Sequence, residues 1–183
     1  SGGYFSFFLA SLLQQHLHRG GANHSGENTV RYLNEALERI TTPVRIRHFI
    51  SQCAQESNKG LWSTEQDFGD KTYFDRQKEF GYDRQYRGGG NIHLTRRPNY
   101  QAFAEHMNDP RIMEGADYVA ANYPWTSAGF WWKENHMNEL VDSLKGDSDS
   151  DVKRVTYRVN GGYNGLSDRQ KYYKQSLEIF PDQ

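Results

Sequence analysis

Ile46, Phe49, Ile50 and Cys53 recur at i, i+3, i+4 and i+7 between Pro43 and Ser57. That is the spacing of one helix face, and it constrains the fold more than any other feature of the chain. Pro43 suits a first-turn position, and Thr41 or Thr42 suits the cap before it. A helix with an apolar stripe must bury that stripe, so other elements have to close around this one. At ~100° per residue Glu56 lies on the same face, three residues past Cys53 and seven past Phe49. A carboxyl on the apolar edge of a helix is partly desolvated, which disfavours its charged form and raises its pKa. A general acid working near neutral pH needs that shift. The plain alternative is a solvated Glu at a helix end.

Glu65 follows nine residues later, beyond a turn expected at Asn58-Lys59-Gly60. Two carboxyls in different surroundings titrate at different pH values. One can give a proton while the other activates water, which is the minimum equipment for cleaving a glycosidic bond.

A chain of 183 residues with a single cysteine, Cys53, must rest on its core, because no disulfide can form within it. One domain, 1–183, is expected. Cys53 falls on the buried helix face, so it reads as core and not as a nucleophile. Aromatic residues make up 14% of the chain, which suits stacking on sugars and suits an aromatic core equally. Lys and Arg number 22 against 23 Asp and Glu. With no basic stripe, this balance argues against nucleic acid. The seven His residues show neither HExxH nor CxxC-type spacing, so no metal and no cofactor is expected. Ser1-Gly2-Gly3 reads as an expression scar or an internal cut. Tyr4 to Leu13 is apolar but too short to span a bilayer, and no basic residue precedes it as in a signal peptide. No membrane insertion is expected.

Punctuation sets the coarse order. A first helix covers about 4–18, Gly20 to Gly26 form a loop, and Ser25 or Asn28 caps a second helix to about Ile40. The third runs from about Pro43 to Ser57. Residues 60–95 mix aromatics, charges and glycines without helical period, and a small β-hairpin is expected around 84–95. Helices follow over Asn99–His106, near Tyr118 after Asp109 or Glu114, and over Thr126–Asn135 with Phe130-Trp131-Trp132. Trp131 and Trp132 read as core. Lys145–Asp151 is a loop or helix start, Asp151–Asn160 is helical with Gly161-Gly162 as its stop, and Ser167 caps a last helix.

Four strings, in order, carry a family resemblance. Tyr86-Arg-Gly-Gly-Gly-Asn-Ile-His-Leu-Thr95-Arg-Arg-Pro-Asn99-Tyr100 resembles the Tyr-x-Gly-Arg-Gly-x-Ile-Gln-Leu-Thr/Ser…Asn-Tyr motif of glycoside hydrolase family 19, the chitinases and phage-type endolysins. Phe49-Ile-Ser-Gln-Cys-Ala-Gln-Glu56-Ser, Trp125-Thr-Ser-Ala-Gly-Phe-Trp-Trp132 and Val159-Asn-Gly-Gly-Tyr-Asn-Gly-Leu-Ser-Asp-Arg169 are similar to three further family segments. The resemblance covers roughly 28–180, preceded by an N-terminal helix and loop over 1–27. The nine-residue spacing of Glu56 and Glu65 looks more like the lysozyme-type members.

The resemblance implies a mainly α, lysozyme-like α+β fold, in which two helical lobes and the small hairpin flank a substrate cleft. It also implies roles. Glu56 would be the general acid and Glu65 the general base of an inverting mechanism, their carboxyls ~6.5–9.5 Å apart. Thr95 would hold the attacking water. Asn99 and Asn160 would hydrogen-bond the sugar, Arg169 would organise the site, and Tyr86, Arg87 and His93 would contact substrate or line the cleft. Gln55, Gly89 and His93 stand where the family usually has His, Arg and Gln. If Glu56 is desolvated, Glu56→Gln is expected to leave the fold intact and to stabilise it.

The implied activity is that of a lysozyme on peptidoglycan, with chitinase activity or glycan binding without cleavage as alternatives. An amidase is disfavoured for want of Zn ligands or a Cys/His pair. A monomer acting in the bacterial periplasm or cell wall is expected, delivered by phage lysis or as an antibacterial effector. In the second case an immunity or inhibitor protein would be a partner.

Overall fold

The computed structural model describes residues 40, 42–57, 84–144 and 146–182. Within them the chain is mainly α-helical. The helices are α1 (Pro43–Glu56), α2 (Arg97–Met107), α3 (Ala116–Asn122), α4 (Pro124–Glu134), α5 (Met137–Ser143), α6 (Asp149–Asn160) and α7 (Leu166–Ile179). Two 3-10 turns, Arg84–Tyr86 and Pro110–Glu114, precede α2 and α3 respectively. The helices expected at 4–18 and 25–40 lie outside the described residues. Among the described residues no helix is long and apolar enough to cross a membrane.

The expected hairpin over 84–95 is replaced by a single antiparallel bridge between Gly89 and Leu94. Its two hydrogen bonds, Gly89 N–H to Leu94 O and Leu94 N–H to Gly89 O, are 2.9 and 2.8 Å long. Strands do not extend from it because Tyr86 closes a helical turn on one side and α2 starts at Arg97 on the other. The glycine run has a packing reason. Gly90 is left-handed (φ 82°), and a Cβ there would strike the Ser127 hydroxyl and come within 3.2 Å of the Pro124 carbonyl. Gly90→Ala is therefore expected to cost ~1–3 kcal/mol in urea unfolding. An unchanged midpoint would show that the loop is free to move away from α4.

Local signals explain some helix ends, while α2, α3, α4, α5 and α7 begin without a side-chain cap. Helix α7 starts at Leu166 after Gly165, so Ser167 lies inside the helix it was expected to cap. Thr42 accepts a hydrogen bond from the Arg45 amide (3.3 Å), with Pro43 in the first turn of α1. Ser148 and Asp151 form a reciprocal capping box at α6, so that helix begins two residues before the expected Asp151. Gly161, left-handed at φ 74°, ends it.

Two apolar clusters define two lobes. The first gathers Phe49, Ile50 and Cys53 of α1 with Trp125, Ala128 and Trp132 of α4, Met137 and Val141 of α5, and Val155 of α6. The second gathers Tyr86, Leu94, Tyr100, Phe103, Ile112 and Val119 around Phe130 of α4. Helix α4 is thus shared, one face to each lobe.

Helix α7 packs along α1, and buried polar groups set its position. The fully buried Arg47 guanidinium donates to Tyr173 Oη (3.2 Å), Phe180 O (2.6 Å), Asp147 Oδ1 (2.8 Å) and Asp182 Oδ1 (3.0 Å). Beside it, the buried His48 ring lies 4.4 Å from the Tyr173 ring, and neither of its nitrogens has a hydrogen-bond partner among the described residues. Burial pushes the His48 pKa down to about 4; Asp147 and Asp151 oppose that and Arg47 adds to it. The unfolded chain therefore binds a proton here below ~6.5 that the folded chain refuses until about pH 4. Stability is complete above ~6.5 and falls by ~3 kcal/mol as pH drops through that window. Urea unfolding from pH 7.5 to 4 should show this slope in the native chain and lose it in His48→Phe. A slope that survives the substitution would assign it to other groups.

Candidate active site

Helix α1 delivers Glu56 at its last turn. The Ser57 amide and hydroxyl both donate to Cys53 O, at 3.0 and 2.6 Å, which closes that turn. The Glu56 side chain is 19% exposed and the Arg169 side chain only 3%. Arg169 Nη2 donates to Glu56 Oε1 at 2.8 Å, Nη1 to Gln52 Oε1 at 2.6 Å, and Nε to Asn164 O at 3.1 Å. Gln52 in turn donates from Nε2 to Thr156 Oγ1 at 3.2 Å. A planar guanidinium held at three points fixes the carboxylate it pairs with. The surroundings of Glu56 are thus an ion pair, not the apolar edge that its position on the α1 helical wheel suggests.

One cleft, about 370 Å³, is lined by Glu56, His93, Thr95 and Asn160, with Ile92, Val159 and Trp131 as apolar wall. Glu56 and Asn160 reach it from helices of the first lobe, and the 88–95 loop bridges the two, with Ile92 in the first cluster and Leu94 in the second. The loop is held in unusual backbone. His93 (φ 55°) and Arg96 (φ 71°) are both left-handed non-glycine residues, and they flank Thr95. Such strain clusters at functional sites, where the surrounding structure enforces it. The enforcing bonds are His93 N–H to Gly90 O (3.1 Å), Arg96 N–H to Tyr86 O (2.8 Å) and Thr95 Oγ1 to Tyr86 O (3.3 Å).

The remaining sequence-predicted residues are placed as follows. Asn160 both lines the cleft and accepts from the Asn164 amide through Oδ1 (3.3 Å), which shapes the 161–165 turn. Asn99 lies outside this cleft. It donates to Thr95 O (2.9 Å) and lines an adjoining hollow with Trp131, Glu134 and Asn135. Tyr86 is buried in the second lobe, its hydroxyl donating to Met113 O (3.1 Å), and it reaches the site only through its carbonyl. Arg87 pairs with Asp117 (2.8 Å) and donates to Arg84 O (3.1 Å), away from the cleft lining. Glu65 lies outside the described residues.

Three contributors escape the sequence reading. Gln52 and Asn164 hold Arg169, and Trp131 walls both hollows while Trp132 is fully buried. Adjacent helix positions sit ~100° apart, so Trp132 is buried at the centre of the first core while Trp131 packs against its edge, half-buried, and faces the hollows.

No family model matches the chain. It is similar to a glycosyl hydrolase family 19 domain-containing protein of Haemophilus influenzae, with 36% identity over 91 residues. The match covers 49% of this chain and 40% of that protein, so the chain spans less than half the length of the curated relative it matches. The likeness supports family 19 of the glycoside hydrolases and nothing finer.

Proposed function

We propose that this chain is a glycoside hydrolase of the lysozyme type, cleaving the β-1,4 bond between N-acetylmuramic acid and N-acetylglucosamine in peptidoglycan with inversion. The observation that carries the reading is the half-buried Glu56 carboxylate, clamped by Arg169, facing a cleft lined by Thr95, His93 and Asn160. In this reading Glu56 acts in its protonated form: it gives its proton to the leaving glycosidic oxygen and ends as the carboxylate that Arg169 holds. Glu65 is the proposed base, and the Thr95 hydroxyl, whose proton goes to the Tyr86 carbonyl, orients the water as an acceptor. Asn160 offers hydrogen bonds to the sugar, and Trp131 offers an apolar wall for a ring face. His93 supplies a polar contact from the loop. Similarity to a family 19 domain-containing protein supports the hydrolase class. The short spacing of Glu56 and Glu65 favours peptidoglycan over chitin. Delivery to the bacterial wall, as an effector or an endolysin, is part of the same proposal.

Mass spectrometry of products from purified peptidoglycan tests it. Soluble muropeptides with N-acetylmuramic acid reducing ends are expected, the first-formed reducing sugar being the α-anomer. N-acetylglucosamine ends would move the bond, and release from chitin oligomers alone would move the substrate. No release from either would sink the hydrolase reading.

A further inference from the structure

A second hollow, about 310 Å³, lies on the solvent side of α6, where Lys153, Arg154, Tyr157, Arg158 and Tyr163 line it. Tyr157 and Tyr163 stay 56% and 50% exposed, whereas Tyr86, Tyr100 and Tyr173 are buried. Their ring centroids are 5.6 Å apart with the planes tilted by 38°. Lys153 Nζ sits 4.9 Å from the Tyr163 ring centre. Among the described residues neither Lys153 nor Arg154 takes part in an ion pair. Arg158 uses Nη1 on Asn135 O at 3.1 Å. Among the described residues no carboxylate lines the hollow. In a chain of net charge -1, this is a local excess of cations around exposed aromatic rings.

That combination suits a ligand carrying both sugar faces and carboxylates. Tyrosine rings pack against apolar surfaces while their hydroxyls stay wet, and Lys and Arg take the carboxylates. The hollow and the cleft both take residues from the last turn of α6, Tyr157 and Arg158 in one and Val159 and Asn160 in the other. Asn160, a cleft residue, follows Tyr157 by one helical turn, and the 161–165 turn carries Tyr163 between Asn160 and Asn164. We propose that this hollow is an accessory subsite that binds the carboxylate-bearing peptide stem of the wall polymer, where it leaves the Glu56 cleft. The proposal rests on the peptidoglycan reading above.

The test is calorimetric binding, which does not depend on cleavage. The charged probe is an N-acetylglucosamine–N-acetylmuramic acid disaccharide with its tetrapeptide, and the neutral probe is an N-acetylglucosamine tetramer. The double variant Lys153→Glu/Arg154→Glu and the single variant Tyr163→Ala alter exposed side chains, and their melting temperatures serve as the fold control. Each variant is expected to lose tenfold or more in affinity for the charged probe. The double variant should hold the neutral probe within twofold of the native chain. A loss below tenfold on the charged probe, an equal loss on both probes in the double variant, or no binding of the charged probe by the native chain overturns the subsite. Failure of the native chain to release muropeptides overturns the peptidoglycan reading instead, so the two failures are distinguishable.

Discussion

Arg169→Met is expected to lower the folding free energy by about 3–5 kcal/mol, the range for breaking a buried ion pair by removing one partner. In a chain of this size that is a melting temperature lower by roughly 10 °C. The Arg169 side chain is 3% exposed and reaches Glu56, Gln52 and Asn164 at once. Methionine fills much of its volume but leaves the Glu56 carboxylate and the Gln52 amide oxygen without their donor. Arg169→Lys keeps a charge but not the planar fork, so it should melt between the two and still lose most activity. The double variant Glu56→Leu/Arg169→Met removes both charges. It should recover part of the lost stability, because the cost lies in the orphaned partner. An Arg169→Met protein melting within 2 °C of the native chain would show that the pair contributes nothing to the fold.

Glu56→Gln is expected to cut turnover by ~10²–10⁴-fold, the range for losing a general acid. Its effect on the fold reverses the expectation drawn from the helix pattern. A desolvated carboxylate in an apolar setting would gain by becoming an amide. Paired with Arg169 at 2.8 Å, the same change keeps the acceptor oxygen but turns a hydrogen bond between ions into one with a neutral acceptor. The difference is ~1 kcal/mol, which lowers the melting temperature by ~2–4 °C. Thermal scans and product assays on one preparation check both parts. Full activity in a folded Glu56→Gln protein would remove Glu56 from the chemistry, and a higher melting temperature would restore the desolvation account.

Where the sequence reading succeeded, the signal was short-ranged. Pro43 and the apolar period mark α1, and Gly161 marks the end of α6. The boundary at α6 moved because Ser148 caps through its own side chain, a choice made between neighbouring residues of similar capping power. Helix α5 went unread because seven residues bury only Met137 and Val141, too few to establish a period. The hairpin was overcalled because a glycine run between apolar residues looks the same whether strands extend from it or helical turns close in. Of the site, Glu56, His93, Thr95 and Asn160 do line one cleft, while Tyr86 and Arg87 serve the loop from behind. A motif marks which residues accompany each other and not which way each side chain points.

The sequence by itself determined the helical class and the position of Glu56 at the end of a buried helix, since both follow from backbone hydrogen bonding and burial within a few turns. Only the tertiary structure decided what Glu56 faces. Its partner Arg169 lies 113 positions away, and that contact forms only when α7 packs on α1. A carboxyl's protonation, orientation and cost of burial depend on the groups within a few ångströms of it, and those groups are assembled by packing rather than by order along the chain.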